Sequence, residues 1–435
     1  MSQSPSTLPL PPGEFGLPIL GETLSFLQDP DYIIKKHQKY GPVFKARLFG
    51  RPTICVKDSL ANRFVLTKEK ERFAINWPSS TQILFGSLSL ALQTGETHQI
   101  RRKILAQAFT SRALVGYIDT IEEITQRYLQ KWQQMGHLTW YPELRNYTLD
   151  IACKLLAGVD GGSETELGNE FETWCKGLFT ISWNLPWTQF GQAMRSGEKL
   201  IAEVENIIRQ RQQAEDLGRD TLGLLLQFRD EEGNGLSFEE LKNQLLLLLF
   251  AGHEALTSAI VSFCLETARH PEVEEKLRHE QQQFDPIAPL TLETLKEMTY
   301  LDWVLQEVLR LIPPLGGGFR KILKTCEWDG YQLPEGWCLL YEIGQTQVNP
   351  ETYADPNSFR PDRFATPPDK YSYLPFGSGI RGCVGQELAR LEMKIFAVRL
   401  LRGYRWQLEP GQDLSLATVP APHPRDKLRV TFSAL

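Results

Sequence analysis

The stretch Phe376-Gly377-Ser378-Gly379-Ile380-Arg381-Gly382-Cys383-Val384-Gly385 decides how the rest of this 435-residue chain is read. It places one cysteine in a glycine-rich loop just ahead of an apolar-periodic segment, 386–401, that reads as a helix. Glycines let the backbone turn tightly and approach a flat ligand, while amides preceding a helix N-terminus can donate to a thiolate and lower its pKa. These are the needs of an iron-bound cysteinate. Arg381 supplies a cation for a carboxylate on such a ligand, and Phe376 an aromatic wall beside the sulfur. Taken alone, the same residues also suit a buried free cysteine in a turn.

The surrounding composition is that of an ordinary soluble globular protein, with 42% hydrophobic and 23% charged residues. Against 53 Asp and Glu there are 47 Lys and Arg, a net charge of −6 that excludes a strongly basic nucleic-acid binder. The seven cysteines (Cys55, Cys153, Cys175, Cys264, Cys326, Cys338, Cys383) contain no CxxC pair, so no disulfide framework or zinc-knuckle spacing is present and a reducing, cytoplasmic setting is expected. Pro5, Pro9, Pro11, Pro12, Pro18 and Pro30 interrupt the first 30 residues well short of the ~20 apolar residues of a membrane span, so neither a signal peptide nor a transmembrane anchor is expected. The run Leu245 to Phe250 is followed at once by Gly252, His253 and Glu254, and reads as a buried helix.

Periodicity predicts a helix over 31–40 and a hairpin of strands 43–49 and 53–56 joined at Gly50, Arg51 and Pro52. Helices follow over 59–66, 99–109, 114–135, 142–157, 164–176, 191–213 and 222–231. Ser237 with Glu240 resembles a capping box for a helix of about 30 residues, near 45 Å long, that ends before Pro271. Further helices over 271–284, 291–298 and 300–311 stop at Pro313 and Pro314, and strands are expected over 319–325, 331–333 and 337–341. No repeat or long linker divides the chain. A single domain over 1–435 is expected, mainly α with a smaller β-rich region: an N-terminal β-rich part about 15–60, a helical body about 60–312, and the cysteine loop 376–385.

The cysteine loop resembles the haem-binding signature of the cytochrome P450 family, Phe-x-x-Gly-x-Arg-x-Cys-x-Gly, whose five named residue types fall at Phe376, Gly379, Arg381, Cys383 and Gly385. The resemblance implies the family's fold, a triangular helical prism around a buried haem b, with the Cys383 thiolate as axial iron ligand. Glu307-Val308-Leu309-Arg310, by itself an ordinary i,i+3 helix pair, is similar to the family's Glu-x-x-Arg motif. Phe359-Arg360-Pro361-Asp362-Arg363-Phe364 is similar to the later segment whose arginine completes it, which makes Glu307, Arg310 and Arg363 a structural network holding the cysteine loop. Ala251-Gly252-His253-Glu254 looks like the oxygen-binding groove, with Ala251, Gly252 and Ala255 within about 100° of one another on a helix. Close packing of two helices would use the same small residues. The family pattern continues with a threonine after the acidic residue, where this chain has Ala255. Thr257 lies about 200° further round and Ser258 returns to the same side, leaving Glu254, ordered water, Ser258 or the substrate as proton sources. His98 and Arg102 resemble the propionate-binding pair and Arg320 a further donor, so that Arg102, Arg320 and Arg381 face two carboxylates; His253 reads as a packing histidine.

From about Pro9 onward the chain resembles the branch of the family that hydroxylates retinoic acid, in Phe49-Gly50-Arg51-Pro52-Thr53, Asn76-Trp77-Pro78 and Pro313-Pro314-Leu315-Gly316-Gly317-Gly318-Phe319-Arg320. This implies C–H hydroxylation of an apolar substrate, a retinoid or other isoprenoid acid, with O2 and two electrons from separate partners, a ferredoxin and its reductase. Trp77, Phe250, Leu315 and Phe319 offer apolar surface and Arg51 a cation for a terminal carboxylate. Arg101 and Lys103 are candidate docking residues for the electron donor. Ala255 motivates a peroxide-driven peroxygenase or an isomerase as the alternative enzyme, and a haem-dependent lipid sensor or carrier is the alternative of another class. Eukaryotic members of the branch usually carry a membrane anchor, so a soluble, bacterial-type enzyme is expected.

Overall fold

A computed structural model describes residues 8–229 and 233–435. Pro5, and Asp230 and Glu231 at the end of the helix expected over 222–231, lie outside the described residues.

The helix Phe238–Arg269 runs through the middle of the molecule. Its capping box forms as the sequence predicts: the Glu240 amide donates to Ser237 Oγ at 3.3 Å, and the Ser237 amide donates to the Glu240 carboxylate at 2.9 Å. Pro271 opens the next helix, where its missing N–H costs nothing. Among the described residues one helical window is apolar enough to cross a membrane, and it is 72% buried inside the fold, which is how a core helix reads. Apolar cores lie on both sides of this helix. One joins it to Ser111–Met135, Trp140–Ala152, Thr299–Leu311 and Gln386–Gly403; the other gathers Phe171, Trp174, Leu200 and Leu222 against Leu245 and Leu249.

The β-rich region is a five-stranded sheet in the order Val43–Leu48, Arg51–Val56, Cys338–Glu342, Gly317–Ile322, Phe73–Ile75. The first hairpin corrects its sequence reading. Its turn is Phe49–Gly50, with φ of 51° and 74°, as a two-residue turn with both central residues left-handed requires. Arg51 and Pro52 therefore belong to the second strand, opposite Leu48 and Arg47. Tertiary contacts hold Phe49 in this unusual conformation: its amide donates to Thr23 Oγ1 at 2.8 Å, and its ring meets Phe26 and Phe319 at 6.0 and 5.9 Å.

Other boundaries shift for local reasons. The helix expected over 99–109 is Gly95–Leu105 with a tighter turn at Ala106–Phe109, and the one expected over 142–157 is Trp140–Ala152 with a widened turn at Cys153–Ala157. Thr23–Gln28, Ser79–Phe85 and Ile343–Gln347 are helices that periodicity does not reveal, because none is long enough to repeat an apolar face more than twice.

Candidate active site

The cysteine loop turns at Gly377 and Gly379, both left-handed at φ of 65° and 69°, and closes when the Cys383 amide donates to the Phe376 carbonyl at 2.8 Å. Gly385 then caps the helix Gln386–Gly403. Six of the seven cysteines are buried and Cys383 alone is exposed, so its sulfur alone is open to an incoming ligand. It borders a cavity of about 500 Å³ with Arg102, Lys370 and Arg390. Protein around the sulfur pushes the thiol pKa up, while the Gly385 amide and Arg102 pull it down by favouring the thiolate.

Glu307, Arg310 and Arg363 meet as the motif resemblance implies. Arg310, fully buried, donates to Glu307 Oε2 at 2.7 Å and Oε1 at 2.9 Å, and to the carbonyls of Gln347 and Pro356 at 2.8 and 2.7 Å. Arg363 Nε donates to Glu307 Oε1 at 3.0 Å. The network reaches the cysteine through Gln347: its Oε1 accepts from the Leu374 amide at 2.7 Å, and the Leu374 carbonyl accepts from the Gly377 amide at 2.9 Å.

On the other side of the loop, cations converge. Arg381 donates to the carbonyls of Leu90 and Gln93 at 3.3 and 2.5 Å, and Arg320 to the Phe319 carbonyl at 3.0 Å. Burial first, offset by Glu69 and then reinforced by Arg320 and Arg102, pushes the Arg381 pKa down to about 10. His98 is buried, and desolvation together with Arg381 and Arg102 pushes it down to about 4, so it is a neutral donor beside charged guanidiniums. A buried surplus of positive charge is costly without anions. Arg381 Nε is buried without a hydrogen-bond partner among the described residues, and Arg320 Nε is ion-paired with Glu69 at 3.0 Å without hydrogen-bond alignment. This donor set, beside an accessible cysteine, fits a haem with two propionates.

The small-residue strip of the long helix divides in two. Ala251 is exposed and Ala255 half-buried on a helix most of whose residues are buried, and at i and i+4 the two share one face. Gly252 does not share that face: a Cβ there would meet Leu156 Cδ1 at 3.3 Å and Ala152 Cβ at 3.7 Å. Its smallness admits the neighbouring segment that carries Ala152 and Leu156.

The proposed proton donors are engaged elsewhere. Glu254 accepts from Arg145 at 2.6 and 3.0 Å, and the same guanidinium binds Glu172 at 2.8 Å. Burial opposes ionisation of Glu172, but His253 and Arg145 draw its carboxyl down to about 2. Ser258 Oγ donates to the Pro422 carbonyl at 2.7 Å, so it holds a neighbouring segment and does not return freely to the groove. Thr257 pairs with Thr148 at 2.6 Å, and His253 Nδ1 with Thr148 Oγ1 at 2.9 Å, which is the packing role read from the sequence.

Trp77 and Phe250 both lie against Phe85, at 6.5 and 5.4 Å, and Trp77 also against Phe179 at 6.2 Å. Phe85 was missed because the short helix Ser79–Phe85 carries no periodic signal, and Phe179 because it lies in the irregular segment after the helix Glu166–Cys175. Phe319 faces Phe49 and Phe26, while Leu315 is 46% exposed. Arg51 bridges this wall, donating to Asn76 Oδ1 at 2.9 Å, the Trp77 carbonyl at 3.2 Å and Ser79 Oγ at 2.8 Å. Arg101 is tied to Glu240 at 2.5 Å and, like Lys103, does not line the cavity beside Cys383. Lys370 and Arg390 line it.

The family model described as Cytochrome P450 matches residues 11–422. "Putative cytochrome P450 120" of Synechocystis sp. is 49% identical over 435 residues, covering 99% of this chain and 98% of that protein. "Cytochrome P450 26A1" of Gallus gallus is 36% identical over 445 residues, covering 98% and 90%. The solved structure described as "Retinoic acid bound cyanobacterial CYP120A1" superposes with a TM-score of 0.96 at 49% identity, covering 99% of this chain and 100% of that one. A full-length match in sequence and fold, around a cysteine loop and a cation cluster suited to haem, means that the chain belongs to the cytochrome P450 family of haem-thiolate monooxygenases.

Proposed function

We infer that this monooxygenase hydroxylates a retinoid or related isoprenoid acid, with retinoic acid the first candidate, as a single domain drawing electrons from a ferredoxin and its reductase. The observation that carries this reading is the likeness, over nearly the whole chain, to a relative whose solved structure holds retinoic acid. Two features of this chain support it. Trp77, Phe85, Phe179 and Phe250 form a continuous aromatic wall for a long apolar chain. Arg51 has no carboxylate partner among the described residues, so its charge is available to a substrate carboxylate.

Cys383 is the iron ligand in this reading, and haem b supplies the oxygen-activating chemistry. The chain's own residues bind, orient and protonate. Arg102, Arg320, Arg381 and His98 hold the propionates; Gly379 and Gly385 let the backbone approach, and Phe376 shields the sulfur. Ala251 leaves room above the site. Glu254 is held by Arg145 as an ion pair and would relay a proton only after leaving that pair and first taking one up from water, while Ser258 orients the segment around Pro422. Ala255 supplies no hydroxyl, and this favours one second reading, turnover with peroxide.

Titration of the ferric haem protein with retinoic acid, followed at the Soret band, tests the substrate. A saturable low-to-high-spin shift at micromolar ligand is expected. An unchanged band with intact haem would leave the family assignment standing and remove the retinoid. Product formed with NADPH, ferredoxin and reductase supports the monooxygenase cycle, and product formed only with peroxide supports the second reading.

A further inference from the structure

Glu69 lies outside every motif of the sequence. Its side chain is only 4% exposed and its carboxylate stands between two guanidiniums: Oε1 is 3.0 Å from Arg320 Nε and 3.7 Å from Arg381 Nε, and Arg320 Nη2 donates to Oε2 at 3.4 Å. The three residues come from separate parts of the fold. Arg320 is on the strand Gly317–Ile322, Arg381 is in the cysteine loop, and Glu69 is in the turn between Ser59–Thr67 and Phe73–Ile75. That turn is held by its own backbone, with Lys70 at φ 81° and its amide donating to the Phe73 carbonyl at 2.9 Å.

Two properties of this cluster point to a ligand. Arg381 Nε is buried without a hydrogen-bond partner among the described residues and is 3.7 Å from Glu69 Oε1, while Arg320 Nε and Glu69 Oε1 face each other at 3.0 Å as an ion pair without hydrogen-bond alignment, so the cluster keeps donor capacity for a further anion. The charges also fail to balance. Arg102, Arg320 and Arg381 carry three positive charges against one carboxylate, and His98 is neutral. Two haem propionates together with Glu69 supply three negative charges and close the balance.

We propose that Glu69 is a positioning residue of the haem-propionate site, tying Arg320 to Arg381 and supplying the third negative charge that neutralises the buried cation cluster. The proposal rests on the haem-thiolate assignment. It gives Glu69 two consequences: it fixes where the guanidiniums wait for the propionates, and it disfavours the reduced haem, which carries one more negative charge.

The test is the ferric/ferrous midpoint potential of the haem-loaded protein, measured by spectroelectrochemistry for wild type, Glu69→Gln and Glu71→Gln. Glu71 is an exposed neighbour paired with Lys68 and Arg72, and serves as control. In Glu69→Gln the reduced-to-oxidised ratio at a fixed potential should rise about threefold or more, where tenfold corresponds to about 59 mV for one electron. Glu71→Gln should stay within about twofold of wild type. A Glu69→Gln potential equal to that of wild type, with the thiolate-type reduced carbonyl spectrum intact, overturns the proposal. Should Glu69→Gln fail to fold, Glu69→Asp keeps the charge and shortens its reach. Haem transfer from Glu69→Asp to apomyoglobin is then expected to be at least about threefold faster than from wild type, and an unchanged rate overturns the proposal. Absence of the thiolate spectrum from wild type would instead fault the haem-thiolate assignment.

Discussion

Replacing Glu307 by glutamine should be among the most destabilising single changes available outside the haem contacts. Both Glu307 and Arg310 are fully buried, and Arg310 donates to both oxygens of Glu307. The glutamine keeps the shape but removes the one carboxylate that, among the described residues, pairs with that guanidinium, and an unneutralised buried partner costs about 3–5 kcal/mol. Arg363→Ala removes one ion-pair contact to the same carboxylate, together with exposed hydrogen bonds to the carbonyls of Ala354, Asp355 and Ser358 that water replaces, and leaves the Glu307–Arg310 pair intact. Its expected cost is about 1.5–3 kcal/mol, the range for a hydrogen bond to a charged group. Against a total stability on the order of 5–15 kcal/mol, the first change consumes a large fraction and the second a modest one. The assay is urea unfolding followed in parallel by far-UV circular dichroism and by the thiolate-type haem spectrum. Because Arg310 reaches the cysteine loop through Gln347 and Leu374, the haem signal of Glu307→Gln should be lost at lower urea than its helicity. Equal losses for the two variants, or a loss under about 1 kcal/mol for Glu307→Gln, would refute the reasoning.

Cys383→Ala should abolish the thiolate-type spectrum while circular dichroism stays near wild type; a retained thiolate spectrum would mean another ligand. Arg51→Ala should weaken a retinoid acid about tenfold in a spin-state titration and leave the corresponding alcohol nearly unchanged, and equal losses for both would remove the carboxylate role. Lys370→Glu combined with Arg390→Glu should slow reduction by ferredoxin and flatten its salt dependence, whereas an unchanged rate would place the electron donor elsewhere. Burial pushes the Glu392 carboxyl up to about 8 from an ordinary 4.5, so the native state keeps a proton that the unfolded chain releases. Stability from this group is complete below about pH 4.5 and is lost as pH rises towards 8, by up to about 1.4 kcal/mol per pH unit. Glu392→Gln should flatten that decline, and parallel pH–stability curves for variant and wild type would refute it.

The chemistry of the iron site was legible in the sequence because its parts are covalently close. Phe376, Gly379, Arg381, Cys383 and Gly385 lie within ten residues, Glu307 and Arg310 share a helix face at i and i+3, and Ser237 with Glu240 starts the long helix by a local rule. Spacing alone dictates what such residues can do together. The face of Gly252, the Arg145 latch on Glu254, the partner of Arg101 and the aromatic wall at Phe85 were decided only by tertiary structure. Glu69 meets Arg320 across 251 residues of chain. No periodicity encodes such a meeting, because which distant side chains share a buried space depends on how helices cross and strands order, and burial then makes every unpaired charge find its counterpart.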